Sequence, residues 1–542
     1  MKTSWLLETC RFCVAILALT ASAPFQVEAA AYQLTLTAQP DPENPESYVP
    51  ARVDFAAQVR DDAGNVVDPN TLDIHWTFGD LFPNTQRSKG HDYDVLNPVY
   101  LYVDPGEVTV KVFVRKKDDH SKTGGAALKV VVRRPQTGLR EFYAAPDGSD
   151  DNPGTRDKPW RNLHTSIASL KPGDTLFLRG GTYDISKTAP ERGIKGLSFG
   201  TNGTPAQPIT VQGFPGEEAI ITSQYTSAGC YINRDFVHVR DLVIEKSRAG
   251  IVFGRGKGLV FDGLTIRHIL GGGNENTSAF YPHSMTESVI RNGLYHDVWM
   301  RSRAHVNSAG VMLYWCRYNV IENNEVYHTG QGFFDKDGNT GTIIRYNYIH
   351  DVTCGVTRST QGEHEALNGR IHNNVFVSVA GAIRYWGNMG EIRGDRVFNN
   401  TIYACGSPFT NLNRKGYHWD DQRLWNNLCV DTTGTYTWGG AFVYCDYGVI
   451  GGTINAMGFS DNRMKHDTLE AWRAATGLDA HSVQLESVRF RVSDPKRPED
   501  FRLPPDSPLR KAPMLGRFGN EMRGAYPFDD VVIGRPLRTA QK

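Results

Sequence analysis

Five short phrases recur along the middle of the chain. They are Ile321-Glu322-Asn323-Asn324-Glu325-Val326, Ile344-Arg345-Tyr346-Asn347-Tyr348-Ile349, Ile371-His372-Asn373-Asn374-Val375-Phe376, Phe398-Asn399-Asn400-Thr401-Ile402 and Trp425-Asn426-Asn427-Leu428. The aligned asparagines Asn324, Asn347, Asn374, Asn400 and Asn427 are separated by 23, 27, 26 and 27 residues. A repeat of this length, made of short β-runs, cannot bury its own apolar face and must stack on copies of itself, as a solenoid does. Stacked asparagines can hydrogen-bond one coil to the next, and such a ladder needs a strict repeat. Weaker coils begin near Ile209, Val237 and Val260. The 54 glycines in 542 residues suit the many tight turns that coils require.

The ends differ from the repeat. Lys2 and Arg11 precede a short apolar run, Phe12 to Ala21, and Val27-Glu28-Ala29 offers small residues for cleavage, so residues 1–29 read as a secretory signal peptide. The mature chain is then expected to be secreted or periplasmic, with no membrane insertion after cleavage. Lys+Arg and Asp+Glu both number 59, which argues against nucleic acid as a partner for a globally basic surface. Six cysteines remain after the signal, Cys230, Cys316, Cys354, Cys405, Cys429 and Cys445, with no CxxC spacing that would suggest zinc. Disulfides and single buried thiols are both open readings. Near the other end, Thr468 to Thr476 carries helix start and stop signals and is expected to cover the last coils.

Residues 30–134 alternate like antiparallel strands broken by turns. Trp76-Thr77-Phe78-Gly79-Asp80, with Tyr102-Val103-Asp104-Pro105-Gly106-Glu107-Val108-Thr109-Val110, resembles the polycystic-kidney-disease (PKD) type of Ig-like β-sandwich. That resemblance implies a spacing or binding module with Trp76 in its core. The next stretch runs from Phe142 through Asp147-Gly148-Ser149 and Pro159-Trp160 to Lys171-Pro172-Gly173-Asp174 and Gly180-Gly181-Thr182-Tyr183. It resembles the opening of secreted right-handed parallel β-helices, where a short helix caps the first coil. The expected fold class is therefore all-β: a pectate-lyase-like right-handed parallel β-helix over 140–465, preceded by the sandwich and followed by a capping segment over 466–542.

Each coil has a second strand that opens on glycine. Aligning Gly310, Gly332, Gly355 and Gly381 puts Asp335, Arg358 and Arg384 in one column and Lys336, Ser359 and Tyr385 in the next, with coil steps of about 4.8 Å. Charge at successive coils breaks an apolar pattern, and such breaks mark candidate sites. The phrases Asp335-Lys336-Asp337-Gly338, Ile344-Arg345-Tyr346-Asn347-Tyr348-Ile349 and Gly355-Val356-Thr357-Arg358 resemble the catalytic coils of family-six polysaccharide lyases, the chondroitinase B and alginate lyase group. The resemblance implies β-elimination on an anionic, uronic-acid polysaccharide, with Lys336 and Arg358 matching that family's Lys and Arg. Calcium is the cofactor it implies, but Thr329-Gly330-Gln331-Gly332 stands where that family carries calcium-binding glutamates.

The candidate catalytic residues are Lys336, Arg358, Asp335, Arg384, Tyr385 and His328. Clustered arginines would offset a substrate carboxylate, and a lysine with lowered proton affinity could take the C5 proton. Candidate substrate-binding residues are Asp337, His350, His305, Tyr314, Trp386 and Glu363. Longer excursions, at Gly271 to Met285, Met300 to Ala309, Ser359 to Leu367 and Asn413 to Asp421, would wall a groove that also holds His364 and Trp315. The alternatives are a glycoside hydrolase using a pair from Asp335, Asp337, Asp351 and Glu363, a uronate C5-epimerase, or a non-catalytic polysaccharide-binding or adhesion protein.

Overall fold

The computed structural model describes residues 31–79, 95–188, 196–271, 276–300, 307–361, 364–387, 390–413, 419–434, 436–437, 442–451, 459–460, 465–466, 468–511, 524–526 and 531–535. The signal-peptide segment, His305 and Glu363 lie outside them. The chain divides into two compact units, one of 1–38, 55–98 and 107–130, the other of 39–54, 99–106 and 131–542.

In the N-terminal part, two three-stranded sheets are assembled from strands between Gln33 and Val132. Ala51–Arg60 runs antiparallel to Val99–Tyr102, and Leu72–Thr77 antiparallel to Gly106–Lys116. Alternation along these strands turns Val110, Val112 and Trp76 inward. Trp76 is fully buried and stacks on Phe78 at 5.8 Å. Gly79 takes φ +73°, and a Cβ there would lie 2.4 Å from the Thr109 carbonyl oxygen, so only glycine fits.

The second unit is a parallel β-helix with three long sheets. Among the described residues they hold twelve, twelve and nine strands. Sheet A runs from Arg140–Ala144 to Phe442–Asp446, sheet B from Gly181–Asp184 to Val483–Leu485, and sheet C from Leu197–Ser198 to Ser407–Asn413. Each sheet sends one aliphatic or aromatic stack into the coil. Sheet A stacks Ile290, Ile321, Ile344, Ile371, Val397 and Leu424. Sheet B stacks Val326, Ile349, Phe376, Ile402, Cys429 and Ile450. Sheet C stacks Val311, Phe333, Val356, Ile383 and Phe409. All join one continuous core, and each full side-chain burial is worth about 1.5–3 kcal/mol.

The asparagine ladder forms at the corner between sheets A and B. Asn324, Asn347, Asn374 and Asn400 each donate both a backbone and a side-chain N–H to Oδ1 of the next asparagine, at 3.0–3.1 Å. The preceding residues Asn323, Tyr346, Asn373, Asn399 and Asn426 take φ between 53° and 56°. Asparagine tolerates that region better than most residues, which explains the doubled Asn in four of the five phrases.

Both ends of the core are covered by helices. Leu163–Ser169, capped by Asn162, buries Leu163 and Ile167 over the first coils. Leu469–Thr476 has Thr468 as its cap, accepting from the Ala471 N–H, and ends at Gly477 with φ 71°. It adds Leu469 and Trp472 to the core. All six described cysteines are buried thiols. No helix among the described residues is long and apolar enough to cross a membrane.

Candidate active site

Sheet C carries the candidate site, and its register decides which residues can reach solvent. Gln331 pairs with Cys354, and Cys354 with Gly381. The last coil is thus one residue off the glycine alignment. A slip of one residue turns a side chain to the opposite face. Arg384 lies beside Thr357, not Arg358, and Tyr385 lies beside Arg358. Gly332 and Gly355 keep their alignment, since a Cβ at either would sit 2.5 Å from the next coil's carbonyl oxygen.

Three expected catalytic residues consequently lie inside the coil. Arg358 is fully buried. Its Nε and Nη2 reach the two oxygens of Asp395 at 2.8 Å, and its Nη1 reaches Asp335 at 2.5 Å. Two carboxylates hold this guanidinium strongly protonated against the burial that opposes its charge. Tyr385 belongs to the same core, and burial raises its phenol well above the ordinary value. Asp335, Arg358 and Tyr385 therefore form a structural ion cluster out of reach of any polymer. Asp395, the partner that completes it, lies in the Gly394-Asp395 phrase outside the aligned strands, where the repeat gave no signal.

Lys336 lies on the other side of the sheet. Leu313 pairs with Asp335 and Tyr314 with Asp337, so Lys336 is the extra residue of a β-bulge. Bulges re-aim side chains. Lys336 joins an outer cluster of Ala309, Met312, Tyr314 and Phe334, flanked by Tyr281 and Trp386 and separate from the coil core. Its Nζ donates to Asn276 Oδ1 at 2.8 Å and to Asn307 Oδ1 at 3.3 Å. Asn276 is oriented by donating its amide N–H groups to the hydroxyls of Tyr281 and Tyr314, at 3.0 and 2.9 Å. Burial pushes the Lys336 amine down to about 8, although the Asp337 carboxylate works in the opposite direction. Both asparagines sit on the expected wall excursions, but nothing in their local sequence singled them out.

Arg384, half-buried on the same outer face, donates to Gln331 at 3.3 Å. Asp337 is buried; it accepts the Gln361 N–H at 2.8 Å and lies 3.0 Å from His364 Nδ1. Trp315 is 41% exposed, and its ring lies 5.9 Å from His364 and 5.4 Å from His283. Tyr314 borders Lys336, and Trp386 packs against the same outer cluster.

The histidines of the expected site lie elsewhere. His350 is on sheet B, stacked on Tyr327, with Asp351 at 2.7 Å and Glu325 at 3.3 Å. Burial lowers its proton affinity, but the two carboxylates outweigh that and raise it. His328 is exposed at the end of a sheet B strand, 3.3 Å from Asp297. Neither belongs to the Lys336 cluster. Among the described residues, no ligand set around Lys336 fits calcium. Thr329, Gly330, Gln331 and Gly332 supply no carboxylate, and no group of three or more His, Cys, Asp or Glu among the described residues could hold a metal ion.

Comparison with known proteins agrees with this architecture. A model of the Pel9A-like right-handed β-helix region matches residues 142–298, and a general model of right-handed β-helix regions matches residues 228–405, which include Lys336. Pectate lyase PEL9 of Emericella nidulans is 33% identical over 84 residues, 16% of this chain and 18% of that protein. Pectate lyase L of Dickeya dadantii is 27% identical over 177 residues, 31% of this chain and 37% of that protein. The chain thus spans less than half the length of these curated relatives. The crystal structure of pectate lyase Pel9A superposes with a TM-score of 0.49 at 16% identity, covering 72% of this chain and 97% of that one. The β-helix is right-handed and parallel, as these models and the strand registers together show.

Proposed function

We propose that this chain is an exported polysaccharide lyase that cleaves a uronic-acid polymer by β-elimination, with Lys336 as the base. The observation that carries the reading is the setting of Lys336. An uncharged lysine has two N–H bonds and one lone pair. The amide oxygens of Asn276 and Asn307 accept the two N–H bonds, which leaves the lone pair free to take a proton. Burial favours the uncharged form, and a base of about 8 suits proton abstraction near neutrality.

The C5 proton of a uronate becomes acidic only when its carboxylate is offset by positive charge. Arg384, two coil steps or about 10 Å from Phe334 along the same outer face, is a described cation suited to an adjoining carboxylate. In the reaction, the C5 proton passes to Lys336 Nζ, its electron pair forms the C4–C5 double bond, and the C4–O bond breaks. Trp315 and Trp386 offer apolar faces to sugar rings. The phrase resembling family-six lyases and the names of the pectate lyase relatives support the same class of reaction, and they make pectate the first polymer to test. Hydrolysis would need two facing carboxylates. Of its four candidates, Asp335 is interior, Asp351 directly follows the sheet B strand Tyr348–His350, Glu363 is outside the described residues, and only Asp337 borders Lys336. The test is to incubate the secreted protein with pectate, alginate and glycosaminoglycans. An unsaturated product, seen by its ultraviolet absorbance, is expected from one of them. New reducing ends without that absorbance would replace the lyase with a hydrolase.

A further inference from the structure

We propose that His364 is the acid that protonates the departing glycosidic oxygen, with Asp337 as its positioning residue; this rests on the lyase reading above. The elimination needs a base for the C5 proton and a proton for the leaving oxygen, and a second group that supplies the latter spares the amine from serving both. Arg358, the other residue that the family-six likeness singles out, is locked in the coil interior between Asp335 and Asp395. The acid role is therefore open, and the His364–Asp337 pair has the geometry for it.

Asp337 directly follows Lys336 at the end of the strand Gln331–Asp337. One of its oxygens accepts the Gln361 N–H at 2.8 Å, which anchors the chain that leads to His364. The other lies 3.0 Å from His364 Nδ1. The Asp337 side chain is 4% exposed and that of His364 is 51% exposed. The buried carboxylate thus fixes the orientation of the imidazole, while Nε2, on the opposite edge of the ring, has no hydrogen-bond partner among the described residues. The ring packs edge-on to Trp315 at 5.9 Å, and Trp315 lies 5.6 Å from Tyr314. Tyr314 also lies under the Lys336 ammonium, 5.6 Å from its ring centre. Amine and imidazole therefore flank one aromatic platform. In the step, Lys336 gains the C5 proton, the C4–O bond breaks, and the leaving oxygen takes the proton from His364 Nε2. Exchange with water restores both groups.

The test compares wild type, His364→Gln and Asp337→Asn in deuterium oxide, on polygalacturonate or, if that is not cleaved, alginate. Cleavage is followed by absorbance, and C5 deuterium uptake in uncleaved polymer by NMR. Both variants are expected to lose about 100-fold or more in cleavage while keeping C5 exchange, because Lys336 still takes the proton. Retained exchange also certifies the fold. Cleavage within about threefold of wild type would overturn the assignment, as would exchange and cleavage falling together with melting unchanged. A variant that melts early is replaced by His364→Asn. A wild type that forms no unsaturated product on either polymer instead overturns the lyase reading.

Discussion

Replacing Arg358 with alanine separates a structural cation from a catalytic one. The guanidinium makes three charge-assisted bonds of 2.5–2.8 Å, and Arg358, Asp335 and Asp395 are each 1% exposed at the side chain. Arg358→Ala leaves two carboxylates in the coil interior with no cation between them. Removing one partner of a buried ion pair costs about 3–5 kcal/mol, and here two acids lose the same partner. A loss of about 4 kcal/mol is nearly a thousandfold in the folding equilibrium of the affected coils. Solenoids can open coil by coil, so calorimetry of the full chain is read together with proteolysis of the segment around residues 335–395. The expected result is an early-melting, protease-sensitive variant whose folded fraction still cleaves substrate within about threefold of wild type. Lys336→Ala serves as the opposite control, with melting unchanged and cleavage abolished. Unchanged melting in Arg358→Ala together with lost turnover would refute the interior placement and return Arg358 to the substrate side.

Exchange of the substrate C5 proton, which reads Lys336 alone, should rise tenfold per pH unit and level off near pH 8, since the amine is a base only after losing its proton. A profile flat from pH 6 to 9 would count against Lys336. Asn276→Asp puts a carboxylate where an amide oxygen lies 2.8 Å from Nζ, so the same limb should move about 1–3 units to higher pH; an unmoved limb would deny that contact. Asn374→Leu removes the acceptor of two bonds from Asn347 and the donor of three others, leaving buried groups unpaired. It should destabilise the coils by about 2–4 kcal/mol without altering the pH profile, as measured by calorimetry and the exchange assay.

The solenoid was legible because its main interaction is periodic. The asparagines Asn324 to Asn427 repeat at coil length, and the ladder they predict is the one that forms. The site was less legible because facing depends on single-residue register. Asp335 and Lys336 are neighbours in sequence, yet one enters the coil and the other leaves it, and the intervening bulge has no sequence mark. The coil of Gly381 is one residue out of step, which turned Arg384 outward and Tyr385 inward. Arg358 and Asp335 showed charge without showing which side of the sheet it lay on. Asn276 and Asn307 come from irregular excursions, where no period exists to align them. His364 appeared in sequence only as one residue of such an excursion, and its meaning depends on the 3.0 Å approach to Asp337.

In the proposed reaction a buried, readily deprotonated Lys336 drives elimination. The measurement that tests it most directly is the rate of unsaturated-product formation from uronic-acid polymers by wild type and Lys336→Met, whose side chain keeps similar bulk without the amine. Steady growth of ultraviolet absorbance is expected with wild type, and none with the variant at equal melting temperature. Equal rates from the two proteins would contradict it.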